Sequence, residues 1–325
     1  MMPPASVTAP PVAPAAAGFD PDRLGRAVAL ARFYGAEGLL VLRGGQIVAS
    51  LGDPAWKANI RSIRKSILSA LIGIAAEEGR IFLGATLEQL GIDDREGLSP
   101  AEKQATVYDL LTARSGIMHP AGYESDWMKA IKPPRHAHAP GTRWTYNNWD
   151  FNALGTIYER ATGRSIPEAF ATLLAARLGM EDFAPEDASH IFSEESQHPA
   201  YPIRLSARDL ARFGQLWLQD GAWEGRQLVP APWVRLSVQP ISDAGQDGAY
   251  GYMWWVCRDG VHYPGAILPR DSFSARGWGG HLLLVVPSLD LVLVHRAQTE
   301  VEPYRTVDKF ALGRILAATL GSIAA

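Results

Sequence analysis

Strand-like runs occupy the two ends of this chain and helical patterns fill its middle, a separation that constrains the fold more than any other feature. Near the N-terminus, GLLVLRGGQIVASLG sets two apolar, β-branched runs on either side of Gly44 and Gly45, the pattern of a β-hairpin. Near the C-terminus, HLLLVVP and LDLVLVHRA are split by the turn PSLD, and YGYMWWVC reads as a further strand. Between these ends the spacing predicts a helix from Ser62 to about Glu78, stopped by Gly79. Short helical pieces are expected over Leu83 to Leu90 and Val107 to Thr112, and a longer helix from Asp150 to Ala161, ending at Gly163. SIPEAFATLLAARLG begins on the cap residue Ser165, SARDLARFGQLWLQDG is amphipathic and ends in Gly221, and APWVRLSVQ is a further short helix. FDPDRLGRAVALARFYGA, with Asp20 as N-cap and Pro21 at N1, and DKFALGRILAATLG add one helix to each end. The expectation is an α+β lobe built from residues 19–60 and 242–325, with a mostly helical lobe, 61–241, inserted between its halves.

Composition narrows the function. The 325 residues are 47% hydrophobic and 20% charged, enough for a sizeable core. A net charge of −3 with no long basic run gives no footprint for nucleic acid or an anionic membrane surface. No stretch is long and apolar enough to span a bilayer. Residues 1–18 read as a flexible Pro/Ala tail without a basic leader region, from which a cytoplasmic location is expected. The single cysteine, Cys257, excludes an intrachain disulfide and sits in an aromatic strand, where a small core residue is expected.

Three stretches carry chemistry. Within RSIRKSILSALIGIAAEEGR, Ser62 and Lys65 are three residues apart and share one helix face, with Cβ atoms roughly 5–6 Å apart. A serine hydroxyl needs an adjacent base, and lysine becomes one when an apolar wall such as Ile67, Leu68, Leu71 and Ile74 lowers its pKa. The N–H of a residue near a helix N-terminus is also free to face an oxyanion. Alone the motif is weak, because S-x-x-K arises by chance in about one such sequence in three, and Ser62 as cap with Lys65 reaching solvent is the plain alternative. The second stretch, GTRWTYNNWDFNALG, contains Tyr146-Asn147-Asn148. Tyr146 can pass a proton beside an ammonium, and Asn148 offers a donor and an acceptor to a substrate carbonyl region; core packing and a turn are the alternatives. The third, SFSARGWGGHLLLVVP, has Gly277, Gly279 and Gly280 around Trp278, which permits close backbone approach to a ligand or simply a tight turn.

From Ser115 to Arg143, Gly, Pro, His and Trp replace periodicity, marking a long loop of the kind that carries function. Its His136 and His138 lack the partners of a metal motif, so neither a metal nor any other cofactor is expected. Trp127, Trp144, Trp149, Tyr252, Trp254, Trp255 and Trp278 lie in or beside the motif segments; some are expected to line an apolar acyl pocket, although packing accounts for any one of them. A G-x-S-x-G elbow is missing.

The order Ser62-Ile63-Arg64-Lys65, Tyr146-Asn147-Asn148, Gly277-Trp278-Gly279 resembles the penicillin-binding-protein-like serine hydrolases. LLTARSGI, PGTRWTYNN and LSARDLARFGQLWLQDGAWEGRQLVPAPWV extend the likeness from about Gly35 to the final helix, nearest to class C β-lactamase-like esterases and 6-aminohexanoate-oligomer amidases. The resemblance implies an antiparallel sheet flanked by helices, with the site between the sheet and the helical lobe. It implies Ser62 as nucleophile, Lys65 and Tyr146 as coupled base and acid, and the N–H groups of Ser62 and Trp278 as the oxyanion hole. A small-molecule ester or amide is the implied substrate; the oligomeric state stays open. A β-lactamase or a D-Ala-D-Ala peptidase is the first alternative, and an inactive ligand-binding homologue the second. The family's Lys-Thr-Gly is here Gly277-Trp278-Gly279, without a cation; the adjacent Arg276 is expected on the opposite strand face. That departure favours esterase or amidase.

Overall fold

The structure is a computed structural model that describes residues 11–324. Its two ends meet in one sheet. β1 (Gly38–Arg43) and β2 (Gln46–Leu51) form the expected hairpin; β3 (Ser242–Asp243), β4 (Ala249–Tyr250), β5 (Trp255–Val256), β6 (Phe273–Gly277), β7 (His281–Val286) and β8 (Leu291–Arg296) follow from the C-terminal part. The spatial order is β2-β1-β8-β7-β6-β5-β4-β3, antiparallel throughout. The seam is the β1–β8 pair, in register from Gly38 opposite Arg296 to Arg43 opposite Leu291.

Both faces of the sheet are covered, so its central strands read as continuous apolar runs rather than alternating ones. The helices in chain order are α1 (Pro21–Phe33), α2 (Arg64–Glu77), α3 (Val107–Leu111), α4 (Asp126–Ile131), α5 (Asn148–Thr162), α6 (Ile166–Ala169), α7 (Ala207–Leu218), α8 (Ala231–Ser237) and α9 (Lys309–Leu320). Leu39, Val41, Leu282, Leu284 and Leu293 pack with Leu24 of α1 and Ile315 and Leu316 of α9. The alternate residues Leu40, Leu42, Leu283, Val285 and Val292 face the larger core with α2, α5 and α7. Gly214 of α7 permits that contact: a Cβ there would stand 2.7 Å from both Leu283 and Val292. α2 is buried on nearly all sides, its polar Arg64, Lys65, Ser66 and Ser69 included.

Several expectations change. Leu83–Leu90 is not helical, because its backbone pairs with the segment before α3: Leu87 N donates to Ala105 O at 2.9 Å, and Val107 N to Ala85 O at 3.1 Å. The helix expected to start at Ser165 passes into a π turn over Phe170–Ala175. YGYMWWVC is not one strand: Gly251 N donates to Trp254 O at 2.8 Å and Met253 turns at φ 60°, folding it into β4 and β5. The long loop carries α4, capped by Ser125. The Pro/Ala tail is built in from residue 11, with Val12 N on Ile47 O at 2.9 Å and a 3-10 turn over Pro14–Ala17; the rest of that expected tail, residues 1–10, lies outside the described residues. Cys257 is buried. No helix among the described residues is long and apolar enough to cross a membrane.

Candidate active site

Ser62 sits in a 3-10 turn, Arg61–Ile63, that leads directly into α2. Arg61, immediately before it, has φ 54°, a left-handed conformation that costs a non-glycine residue on the order of 1 kcal/mol or more. Asn59 Oδ1 holds that bend by accepting from Arg61 N at 2.8 Å. The bend throws the serine off the helix line, and one turn later Lys65 returns to meet it. Lys65 Nζ stands 2.8 Å from Ser62 Oγ and 2.7 Å from Tyr146 OH.

Tyr146 comes from 81 residues further along the chain. It precedes the N-cap of α5, where Asn147 Oδ1 accepts from Asp150 N at 2.9 Å. Ser115 Oγ donates to Asp150 Oδ1 at 2.5 Å, pinning the start of the long loop to the same point; burial pushes that carboxyl up to about 8. Phe151, Tyr250 and Trp255 surround the Tyr146 ring, at centroid distances of 5.1, 6.0 and 5.5 Å.

These surroundings set the protonation chemistry. Lys65 is 1% exposed, over the rings of Tyr146 (4.5 Å) and Phe151 (4.8 Å). Burial, aided by the neighbouring Arg64 cation, holds its pKa well below 10.5, against the weaker pull of Glu124. Burial pushes the Tyr146 phenol up to about 12, opposed by its hydrogen bond with Ser62 and by the Arg64 and Arg276 charges. The amine is thus biased towards its neutral, proton-accepting form while the phenol keeps its proton, an arrangement able to take a proton from Ser62 Oγ and hand one on.

Beyond Ser62 a cavity of about 460 Å³ opens. β6 forms one wall with Arg276, Gly277 and Trp278; Trp144, Thr145 and Tyr146 form another; Trp127, Met128, Ile131 and Pro133 line the loop side. Gly277 has no room for a side chain: a Cβ would lie 2.6 Å from Ile60 O and 3.1 Å from Arg61 Cβ. The ladder between β6 and β7 ends at Gly277 and His281, so the Trp278 N–H lies past its last pair, close to the turn that carries Ser62.

Asn148 is buried outside the cavity lining; its Nδ2 donates to Tyr123 O at 2.6 Å, so the amide ties the loop to α5. Gly279 faces inward, where a Cβ would strike the Thr299 methyl. Trp149, Trp254 and Tyr252 are core residues, whereas Trp127, Trp144, Trp255 and Trp278 line the cavity. Arg276 meets its expectation in part. It lines the same cavity as Ser62, stacked 4.5 Å from the Trp255 ring and 4.2 Å from the Tyr263 ring, with Asp247 Oδ1 at 3.2 Å and the His262 carbonyl at 2.7 Å. Its guanidinium keeps the expected strand face, with Ser274 Oγ at 3.1 Å and Tyr263 of the α1–α9 cluster, and borders the cavity beside Trp255. Sequence reasoning missed Arg61, Tyr123, Asp247 and Thr299; only the composition of the long loop hinted at Tyr123, and nothing marked the other three. Among the described residues no three His, Cys, Asp or Glu side chains converge as metal ligands.

The chain is similar to known proteins along most of its length. A family model described as beta-lactamase matches residues 27–317. A 6-aminohexanoate-dimer hydrolase of Paenarthrobacter ureafaciens is 24% identical over 79% of this chain and 71% of its own. A penicillin-binding protein homologue of Caulobacter crescentus superposes with a TM-score of 0.66 at 16% identity, over 94% of this chain and 99% of the other. A family VIII carboxylesterase does so with a TM-score of 0.66 at 17% identity, over 93% and 97%.

Proposed function

The chain belongs to the beta-lactamase family, and from that premise we propose that it is a serine hydrolase cleaving a small ester or amide through an acyl-enzyme on Ser62. The observation that carries this reading is the position of Lys65 Nζ, buried and within 2.8 Å of both the Ser62 and Tyr146 hydroxyls. A helix-capping serine with a solvent-seeking lysine needs none of this.

In the proposed reaction Ser62 Oγ attacks the carbonyl carbon while its proton passes to the Lys65–Tyr146 pair. The N–H groups of Ser62 and Trp278 receive the developing oxyanion; one such donor is typically worth about 100- to 1,000-fold in rate. The tetrahedral adduct collapses as the bond to the leaving alcohol or amine breaks, and the pair returns the proton to that group. Water, deprotonated by the same pair, then attacks the acyl carbon and regenerates the Ser62 hydroxyl. The two groups pass one proton between them across the 2.7 Å contact.

Ester or amide is favoured over β-lactam or D-Ala-D-Ala peptide by the strand end, which bears no lysine. Of the two arginines that line the cavity, Arg276 is engaged by Asp247 and the His262 carbonyl, and Arg143 lies exposed beside Trp144. The apolar loop side, with Trp127, Met128 and Ile131, suits an uncharged acyl chain. The deciding experiment pairs p-nitrophenyl butyrate turnover with a fluorophosphonate label. The wild-type protein hydrolyses the ester and is labelled on Ser62, and Ser62→Ala does neither while keeping its fold. Turnover retained in Ser62→Ala would place the nucleophile elsewhere, and an unlabelled, inactive wild-type protein would favour a ligand-binding homologue.

A further inference from the structure

Behind the cavity wall lies a buried polar network that the proton transfers do not use. Thr299, in the segment after β8, is fully buried. Its Oγ1 is 2.9 Å from His281 Nε2 and 3.3 Å from Arg61 Nε, and its carbonyl accepts from Arg61 Nη2. Arg296 Nε donates to His281 Nδ1 at 3.1 Å, which leaves the ring proton on Nε2, pointing at Thr299. Arg296 is itself fixed by the carbonyls of Leu205 and Ala58, both at 2.8 Å. Thr299 Oγ1 therefore accepts from two donors with different addresses. One belongs to Arg61, the strained residue before the nucleophile; the other belongs to His281, which closes the turn holding Trp278.

Two successive carbonyls of that turn, those of Gly279 and Gly280, are also held by hydrogen bonds. Val307 N donates to Gly279 O at 2.9 Å, and His295 Nδ1 donates to Gly280 O at 2.7 Å. Gly279 and Gly280, at φ 83° and 102°, take conformations that favour glycine. The Arg61 guanidinium also lies 5.4 Å from the Trp278 ring centroid and 3.4 Å from Tyr123 OH, so it spans the nucleophile turn, the Trp278 turn and the long loop. The backbone pieces that bear Ser62 N–H and Trp278 N–H share no secondary structure; besides the direct packing of Gly277 on Ile60 and Arg61, this side-chain bridge joins them.

We propose that Thr299 is a positioning residue for the oxyanion hole: by accepting from Arg61 and His281 together, its hydroxyl sets the separation of the Ser62 and Trp278 N–H groups. The inference rests on the acyl-enzyme reading of Ser62 and goes beyond it by assigning a residue that touches neither substrate nor nucleophile. Misplacement of reacting groups by about 1 Å costs on the order of 100-fold in rate. The cost falls on kcat, because the oxyanion exists only in the transition state and the intermediate.

The test compares Thr299→Val, which keeps the shape and removes the hydroxyl, with Thr299→Ser, which keeps the hydroxyl. Each is assayed on a p-nitrophenyl ester and on the matching thionoester, whose sulfur is a poor acceptor for an oxyanion hole. The expected result is a loss of about 10- to 100-fold in kcat for Thr299→Val on the ester, with KM within about twofold. The thionoester rate falls much less, and Thr299→Ser restores ester kcat to within about threefold of wild type. Unchanged kcat in Thr299→Val, or equal losses on ester and thionoester, would overturn the proposal, the second because it marks a general loss of structure. Should the valine variant not fold, Arg61→Lys, which cannot reach both Thr299 oxygens in the same fork, is held to the same criteria. A wild-type protein without Ser62-dependent turnover overturns the underlying reading and this one with it; wild-type turnover with an unaffected Thr299→Val overturns this one alone.

Discussion

The cavity has two unlike sides. On the sheet side, the nucleophile turn, the Trp278 turn and the Tyr146 segment are fixed by buried hydrogen bonds: Lys65 to both hydroxyls, Asn147 to its own helix, Thr299 to Arg61 and His281. On the loop side, the six-residue α4 presents Trp127 and Ile131, 63% and 49% exposed. Its anchors are the Ser125 cap, Lys132 on Glu124 at 2.6 Å and on the His119 carbonyl at 2.8 Å, and the exposed Lys129–Glu195 pair at 2.9 Å. Bond-making requires groups held to fractions of an ångström, whereas recognition of an apolar chain depends mainly on the area it buries. The contrast predicts steep losses from changes on the first side and shallow ones on the second.

The largest test falls on the proton pair. Lys65→Ala and Tyr146→Phe should each lower kcat/KM by about 100- to 10,000-fold, and the double variant should lose little more, because the two act as a unit. Fully multiplicative losses would separate them. In the wild-type protein, kcat/KM should climb with pH as Lys65 releases its proton well below pH 10.5, since the neutral amine is the base. A falling limb from Tyr146 should be missing until about pH 12, as the phenol holds its proton until then. A pH profile with its acid limb near 10.5 would mean that burial leaves the amine unperturbed.

A smaller loss, about 100-fold in kcat, is expected from Gly277→Ala. Its new Cβ would press on Ile60 O and Arg61 and drive the Trp278 turn away from Ser62. Wild-type kcat in this variant would show that the sheet side tolerates movement and would erase the contrast. The smallest effect belongs to the loop. Trp127→Ala should raise KM for a p-nitrophenyl octanoate by about two- to tenfold and leave the acetate within about twofold. A large fall in kcat on both esters would assign α4 to the chemistry instead of to acyl recognition.

Local pattern was readable wherever the determinant was local. The β1–β2 hairpin around Gly44, the caps Asp20 and Ser165, and the stop at Gly79 follow from neighbours within four residues. The meeting of Ser62 with Lys65 is of the same kind, one turn apart on one segment. Leu83–Leu90 misled because its apolar spacing suits a helix while its N–H groups find partners near Ala105. Arg276 was legible in part: strand alternation places it with Ser274 and Tyr263, and its stacking on Trp255 alone brings it to the cavity border.

By itself, then, the order of residues determined most of the helices and strands, that strands from both ends of the chain share one lobe, and that a serine and a lysine stand one helical turn apart. Packing alone decided that a phenol from the start of α5 reaches that lysine, that Asn148 spends its amide on a loop carbonyl, and that Thr299 joins two turns distant in the chain. The reason is one of range. Backbone geometry fixes distances over a few residues, whereas the separation of remote groups is fixed only when close-packed side chains leave them a single place to go.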